Sequence, residues 1–476
     1  MVMVIASQPT CSRCSELQQS NLALQAENDQ LRAALEDLKE QLAETKKDSS
    51  TSHKPPSSDL VKPPRTPTNG KPGAQPGHAG HFRNPYLPAE LTASFDYRHC
   101  QCPDCGGELD TLSEPVRIIQ QVDVREIQPS IEEHRSYASW CPHCDKKFIR
   151  PIPDMIANHG LLGPHLRTLI AYLKAVCHAS FSTVRKYFRD ILQIKVSRGY
   201  LAKVIGQVSD TLAGPYEELL LSLAAEPFLN VDETSHPHHK DRWWTWCFRA
   251  ELYTLYRIDP TRSADVLIAI LGKEFKGVLG CDQFSAYHRY LGTVDIRVQW
   301  CLAHLIREVK FLTTLPLPAA RAYGERFRGA LRSLFAVIHQ REHLSKREFQ
   351  QRLTTAKEHI LTVSMEAVPD NKHCRNLAER MRKHGEGYFT FITTPGVGPT
   401  NNAAEQAIRF VVIDRYITQG TRSVWGARWS ERIWTVVATC AQQGKSVYRF
   451  LHACIMSHAA KTAKPSLVPP QDGCQK

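Results

Sequence analysis

Phe228-Leu229-Asn230-Val231-Asp232-Glu233-Thr234 reads as a short buried strand, apolar and β-prone, that ends by presenting a carboxylate. The run Gly277-Val278-Leu279-Gly280-Cys281-Asp282 repeats the pattern and delivers Asp282. Far downstream, Asn401-Asn402-Ala403-Ala404-Glu405-Gln406-Ala407-Ile408-Arg409 reads as a helix start carrying Glu405. Two strand-borne aspartates and one helix-borne glutamate form an oxygen set suited to two hard divalent cations. Mg²⁺ takes only a few carboxylates together with substrate phosphate oxygens. The pattern points to metal-assisted phosphoryl transfer on nucleic acid.

Between the two aspartates, residues 242–248 and 252–258 read as further strands and 263–271 as a crossover helix. Three antiparallel strands, a helix and then a parallel strand bearing the second acid make a ribonuclease-H-like layout. Beyond Asp282, 286–291 reads as a helix and 294–299 as a short strand, and Trp300-Cys301-Leu302-Ala303-His304 opens a long helical stretch reaching about His384. The predicted core thus comes in two parts, 226–304 and 396–464, the second holding the third acid, around a helical insertion over 305–395. Pro395-Gly396-Val397-Gly398-Pro399 marks the return to the core, and 465–476 is expected to be a disordered tail.

Upstream, 156–225 is predicted to be a helical, DNA-binding domain. Within it, Phe181–Phe188 is one apolar-periodic run, and Ser197 is placed to cap a second helix through Tyr200 and Val204. Two short helices about a tight turn have the outline of a helix-turn-helix, with a plain packing layer as the alternative. Over 91–155, Cys102-Pro103-Asp104-Cys105 and Cys141-Pro142-His143-Cys144 are two C-x-x-C knuckles, with 35 residues between Cys105 and Cys141. That spacing predicts a structural, four-thiolate Zn²⁺ ribbon, with 117–127 as β-like hairpin and Cys100 as a competing thiol. A closed Cys₄ shell leaves no open position for a substrate.

Residues 46–90 are rich in Ser, Pro, Gly, Lys and Thr and are predicted to be a flexible tether. In 1–45, Leu17, Leu24, Leu31 and Leu38 recur every seven residues, with Asn21, Asn28, Leu35 and Leu42 at the alternate positions. Leucine at d with asparagine at a predicts a parallel coiled coil over 15–45, and hence a homo-oligomer; an exposed amphipathic helix is the alternative. Cys11 and Cys14 are read as free thiols.

The 476 residues are too many for one core, and 42% hydrophobic with 23% charged residues is ordinary for a soluble chain. No apolar run of membrane-spanning length and no signal peptide is visible, so a cytoplasmic location is expected. Sixty Lys and Arg against 48 Asp and Glu leave a formal charge of +12, which suits a polyanionic partner. Cysteines standing singly in apolar contexts (Cys177, Cys247, Cys440) read as buried thiols of a reducing compartment.

A single aspartate at a strand end has a plain reading as a turn or cap residue. Glu405 has one as a first-turn acid paired with Arg409. Glu233 and Glu308 are rival third ligands, although Glu233 should face away from Asp232. Taken together, Asp232-Glu233-Thr234, Trp244-Thr245-Trp246, Asp282 with Ser285-Ala286-Tyr287, Cys301-Leu302-Ala303-His304 and Asn401-Asn402-Ala403-Ala404-Glu405 resemble transposases of the insertion-sequence 66 family. Ala74-Gln75-Pro76-Gly77-His78 in the linker, the zipper and the zinc knuckles resemble the same family. Two departures are Ser235–Lys240, where a glycine-containing turn is expected, and Gln406, where arginine is usual.

The resemblance implies a DDE transposase whose triad falls on Asp232, Asp282 and Glu405, with Mg²⁺ or Mn²⁺ as the catalytic ions. It would cut and join the ends of its own element, binding terminal inverted repeats and target DNA, with other element-encoded proteins as further partners. Arg409, Arg415, Arg422, Trp425 and Arg428 are the candidates for a DNA track beside the site. A non-catalytic zinc-containing DNA-binding protein and a ribonuclease-H-like nuclease are the competing readings. No role is assigned to Cys301 and His304.

Overall fold

The computed structural model describes residues 12–48, 51, 84–110, 114–124, 129–157 and 160–469. Cys11, most of the linker and the last residues of the tail lie outside them. The chain divides into two compact units. One takes in the described residues of 1–62, 134–190 and 194–476, and the other those of 63–133 with 191–193.

The first unit begins with α1 (Ser12–Thr45), a 34-residue helix. Leu17, Leu24, Leu31 and Leu38 are each 60% or more exposed along it. The heptad stripe is therefore uncovered within one chain. The far end of α1 is held by Glu40 accepting from Asn371 Nδ2 (3.0 Å), by a Glu44–His373 ion pair (2.9 Å) and by Lys47 over the Phe311 ring.

The smaller unit contains no strand among its described residues. The hairpin expected over 117–127 is not formed at 117–124, and 125–127 lie outside the described residues. Val116, Ile118, Val122 and Val124 are all exposed, so no apolar face exists for these residues to pack on. β-propensity without a surface to cover does not make a strand. Cys102 here heads a tight turn in which its N–H donates to Gly107 O and its carbonyl accepts from Gly106, both at 2.9 Å.

Back in the first unit, β1 (Ala138–Cys141) and β2 (Lys146–Ile149) pair antiparallel in register Cys141↔Lys146, flanking the second knuckle. After α2 (Asp154–Ala157) come α3 (Pro164–Ala175), α4 (Phe181–Asp190), α5 (Arg198–Thr211) and α6 (Ala213–Ser222). Ser197 caps α5 by accepting from Tyr200 N at 3.1 Å. α5 buries Leu201, Val204, Ile205, Gly206, Val208 and Ser209. It leaves Arg198, Gly199, Lys203 and Asp210 outward.

The central sheet comprises β3 (Phe228–His238), β4 (Asp241–Arg249), β5 (Thr254–Asp259), β6 (Val278–Cys281) and β7 (Arg297–Trp300), in the order β5-β4-β3-β6-β7. β3, β4 and β5 are antiparallel, while β6 and β7 run parallel to β3. α7 (Ala264–Leu271), capped by Ser263, supplies the crossover to β6, and α8 (Ser285–Leu291) leads to β7. The β3–β4 turn has no glycine. His239 takes its left-handed position at φ 53°, and His236 and His238 anchor the strand end by bonding Thr421 Oγ1 at 2.9 and 2.8 Å.

From β7 the chain enters α9 (Leu302–Leu312), α10 (Pro318–His339), α11 (Lys346–Met365), α12 (Lys372–His384) and the short α13 (Thr390–Thr393). It returns as α14 (Asn402–Thr418), followed by α15 (Val424–Gln442) and α16 (Val447–Ala460). The insertion packs on itself, Tyr323 OH donating to Ser364 O at 2.6 Å.

Both edges of the sheet are covered. On β5 the N–H groups of Thr254, Tyr256 and Ile258 donate to Thr439 Oγ1, Thr435 Oγ1 and Glu431 Oε1 of α15 (3.2, 3.1 and 2.6 Å). Two residues of strand rise about 6.8 Å and four residues of helix about 6 Å, so the side chains at 431, 435 and 439 keep step with alternate amides. An edge strand left bare would invite pairing with another chain. On β7, Val298 O accepts from Thr390 Oγ1 (2.6 Å), and Gln299 Oε1 accepts from Phe391 N (2.8 Å).

Candidate active site

Alternation along β3 buries Leu229, Val231 and Glu233 on one face and turns Asn230 and Asp232 to the other. β3 and β6 are in register Phe228↔Val278 and Asn230↔Gly280. Asp232 and Asp282 each lie two residues further on, so neighbouring parallel strands deliver both acids to the same edge of the site. Gly280 has no room for a Cβ, because Asn230 Oδ1 would lie 2.8 Å from it. The Asp282 carboxylate accepts from Phe284 N at 2.9 Å, and that of Asp232 from Glu233 N at 2.9 Å.

α14 lies over the Asp232 face. Asp232, Cys247 and Tyr256 stand side by side across β3, β4 and β5, and Tyr256 OH donates to Ala407 O of α14 at 2.8 Å. The helix start is tied down by Asn401, whose Nδ2 donates to Val231 O (2.8 Å) and whose N–H donates to Cys301 Sγ (3.1 Å). Cys301 N in turn donates to Cys281 O (2.9 Å), next to Asp282. Glu405, one turn into α14, is thereby set above the two aspartates. Burial first, and then the charges of Glu233, Asp282 and Glu405, push the Asp232 carboxyl well above the usual carboxylate range. Burial and like charges nearby each disfavour the ionised form of a carboxyl.

The rival acids are engaged elsewhere. Glu233 is buried on the opposite face, accepting from Arg262 Nε (2.8 Å) and Arg262 Nη2 and from Tyr287 OH. Glu308 is bonded to both terminal nitrogens of Arg380. Glu405 does not pair with Arg409. It meets Arg307 Nη2 at 3.3 Å and His304 Nε2 at 3.6 Å, both from α9. Cys301, His304 and Glu405 bring a sulfur, a ring nitrogen and a carboxylate oxygen within 4.8 Å of one another. Burial pushes the Cys301 thiol up to about 11.

Among the basic candidates, Arg409 and Arg422 are exposed, whereas Arg415 and Arg428 are held internally. Arg415 donates to Thr234 Oγ1 (2.9 Å) and to Ser235 O. Arg428 binds both oxygens of the fully buried Glu431. Trp425 is 45% exposed and seats its inner edge on Gly206 of α5, where no Cβ would fit.

In each knuckle, the first cysteine lies under backbone N–H groups. Those of Cys105 and Asp104 lower the Cys102 thiol, and those of Cys144 and His143 lower Cys141. Amides aimed at sulfur favour the thiolate form that zinc requires.

Comparison with known proteins places the chain among the transposases. Residues 159–429 match the family described as Transposase IS66, and residues 99–145 match the zinc-finger binding domain of transposase IS66. The first match alone spans more than half of the sequence, and the protein belongs to the IS66 family. It is also similar to the uncharacterized protein y4hP of Sinorhizobium fredii (strain NBRC 101917 / NGR234). The two are 22% identical over 376 residues, 71% of this chain and 67% of that one. No helix among the described residues is long and apolar enough to cross a membrane.

Proposed function

We propose that the protein is a DDE transposase, with Asp232, Asp282 and Glu405 as its catalytic acids on a ribonuclease-H-like sheet. The observation that carries this reading is the matched register of β3 and β6 beneath the start of α14, which turns three acids distant in sequence toward one place. The donor set is all carboxylate oxygen, as Mg²⁺ or Mn²⁺ prefers. When bound, a pair of such ions supplies the activated water or DNA 3′-hydroxyl and stabilises the leaving oxygen, as in-line phosphoryl transfer requires.

The remaining work falls to the chain. Asn401 fixes the start of α14, and with it Glu405, against the strand that carries Asp232. Arg307 holds Glu405 Oε2 and offsets its charge. Arg262 and Tyr287 keep Glu233 on the far face. The same acids would serve hydrolysis at the element's ends and then joining of those ends to target DNA, with no covalent protein–DNA intermediate. Exposed Arg409 and Arg422, with the outer edge of Trp425, are suited to phosphate and base contacts. Internally bonded Arg415 and Arg428 shape that surface from below.

Cys102, Cys105, Cys141 and Cys144 would hold Zn²⁺ as a structural ion, a role supported by the amide-covered first cysteine of each knuckle. The uncovered leucine stripe of α1 supports self-association through 15–45, and the chain would act in the cytoplasm on chromosomal DNA alongside other element-encoded proteins. Asp232→Asn tests the proposal: Mg²⁺-dependent nicking of element-end DNA should vanish while DNA binding persists. Equal nicking by the variant removes the catalytic assignment. Joined products in a target plasmid distinguish a transposase from a nuclease that only cuts.

A further inference from the structure

Two helix starts meet beside the acid cluster. Cys301 immediately precedes α9, His304 lies in its first turn, and Glu405 sits in the first turn of α14. Their ligand atoms lie within 4.8 Å of one another. The 3.6 Å between His304 Nε2 and Glu405 Oε1 is too long for a hydrogen bond. Glu405 Oε1 is buried and receives none. In a tetrahedral zinc site, bonds of about 2.0–2.1 Å to N and O and about 2.3 Å to S put ligand atoms roughly 3.3–3.6 Å apart. His304 Nε2 and Glu405 Oε1 already lie at 3.6 Å, and the ligand atoms of all three residues fall within 4.8 Å of one another.

The donor types choose the ion. Sulfur, imidazole nitrogen and one carboxylate oxygen are a poor set for Mg²⁺ and a good one for Zn²⁺, with solvent as the fourth ligand. The Cys301 sulfur receives the N–H of Asn401 at 3.1 Å and faces the amides of His304 and Ala303, which offset part of the burial that pushes its thiol up to about 11. Cys102 and Cys141 in the two knuckles also receive backbone amides, and there the amides prevail and lower the thiols.

We propose that Cys301, His304 and Glu405 form a second zinc site, separate from the ribbon, and that zinc held there inhibits the enzyme by drawing the Glu405 carboxylate away from Asp232 and Asp282. On binding, a Zn–S bond replaces the S–H bond of Cys301 and the proton leaves to solvent, one per ion. The binding stands on the geometry of these three residues. The inhibition rests on the catalytic function proposed above.

The test is the zinc content of the full-length chain after equilibrium dialysis, read by elemental analysis, with Co²⁺ absorption as the signature of thiolate ligation. Wild type should hold two ions. Cys301→Ser and His304→Gln should each hold one, and a Cys102→Ser/Cys105→Ser variant should lose the other. One ion in wild type, or two in both Cys301→Ser and His304→Gln, overturns the site. Thermal unfolding of both variants guards against loss by misfolding. Zinc added beyond the ribbon's share should depress Mg²⁺-dependent nicking by wild type and leave that by His304→Gln unmoved; equal depression of both overturns the inhibition. Asp232→Asn keeps the two proposals apart, since it should lose nicking yet retain both zinc ions.

Discussion

Removing one negative charge from the acid cluster should make the metal-free protein more stable. Asp232 and Asp282 each follow by two residues the paired positions Asn230 and Gly280 of neighbouring parallel strands, which lie about 4.8 Å apart where they are paired. Two unit charges about 5 Å apart repel by about 3 kcal/mol at an effective dielectric constant of about 20. Glu405 adds to this, although Arg307 at 3.3 Å offsets much of its charge. Asp232→Asn keeps an oxygen for the Glu233 N–H and removes the charge, for a net gain of about 2 kcal/mol. At about 2–4 °C per kcal/mol for a domain of this size, Tm in EDTA should rise by about 4–8 °C. Millimolar Mg²⁺ relieves the same repulsion in wild type, so it should raise the wild-type Tm and leave that of the variant nearly still. Differential scanning calorimetry of both proteins, with EDTA and with Mg²⁺, reads the four values. A variant less stable than wild type in EDTA, or one that gains as much from Mg²⁺, would refute the idea that these carboxylates share one place.

Arg262→Ala should cost about 3 kcal/mol, because it leaves Glu233 buried without its cation; urea unfolding measures this, and a loss below about 1 kcal/mol would show the pair to be dispensable. Burial first, then the charge of Arg415 and the neighbouring His238 ring, hold His236 down at about 4 against 6.5 for the free side chain. Its neutral ring is enclosed by Thr245, Thr421 and Trp434. The unfolded chain takes up the proton first, so stability from this group is complete above pH 6.5 and is lost as pH falls toward 4. The 2.5-unit difference amounts to about 3 kcal/mol. His236→Gln should flatten that part of the pH–stability curve, and an unchanged difference between pH 7 and pH 4 argues against a neutral buried ring. Leu24→Lys with Leu31→Lys should turn an associated species into a monomer in sedimentation equilibrium without lowering the Tm of the core, and a monomeric wild type would end the zipper reading.

The strands that carry the acids were readable because each is a short, mostly apolar and β-prone run closed by a polar residue. Alternation alone put Glu233 on the face opposite Asp232. It said nothing of Arg262 and Tyr287, which come from other elements to hold that carboxylate. The match between α15 and β5 left no trace in the sequence: Glu431, Thr435 and Thr439 read as unremarkable polar positions until the strand beside them is seen. The C-x-x-H at Cys301 and His304 was visible as a motif, but its neighbour Glu405 lies across the whole insertion. The hairpin expected over 117–127 rested on residue type alone, and residues 117–124, with their side chains exposed, form no strand. Arg415 and Arg428 looked like free surface cations because their acceptors, Ser235 O and the buried Glu431, are set by tertiary packing.

The doorway of the helical insertion has a consequence for how such chains can change. Leu302 N donates to Pro399 O at 3.1 Å and Asn401 N to Cys301 Sγ at 3.1 Å, so the outgoing and returning strands of chain are buckled together at the threshold. The helices between hang from this buckle, apart from α13, which also covers the β7 edge. The closure entropy of the insertion grows only with the logarithm of its length, about 0.6 kcal/mol for each doubling. Those helices are therefore free to lengthen, shorten or be replaced while the buckle keeps the surroundings of Glu405 constant. The number of residues between Asp282 and Glu405 can then change along the sequence without moving either side chain.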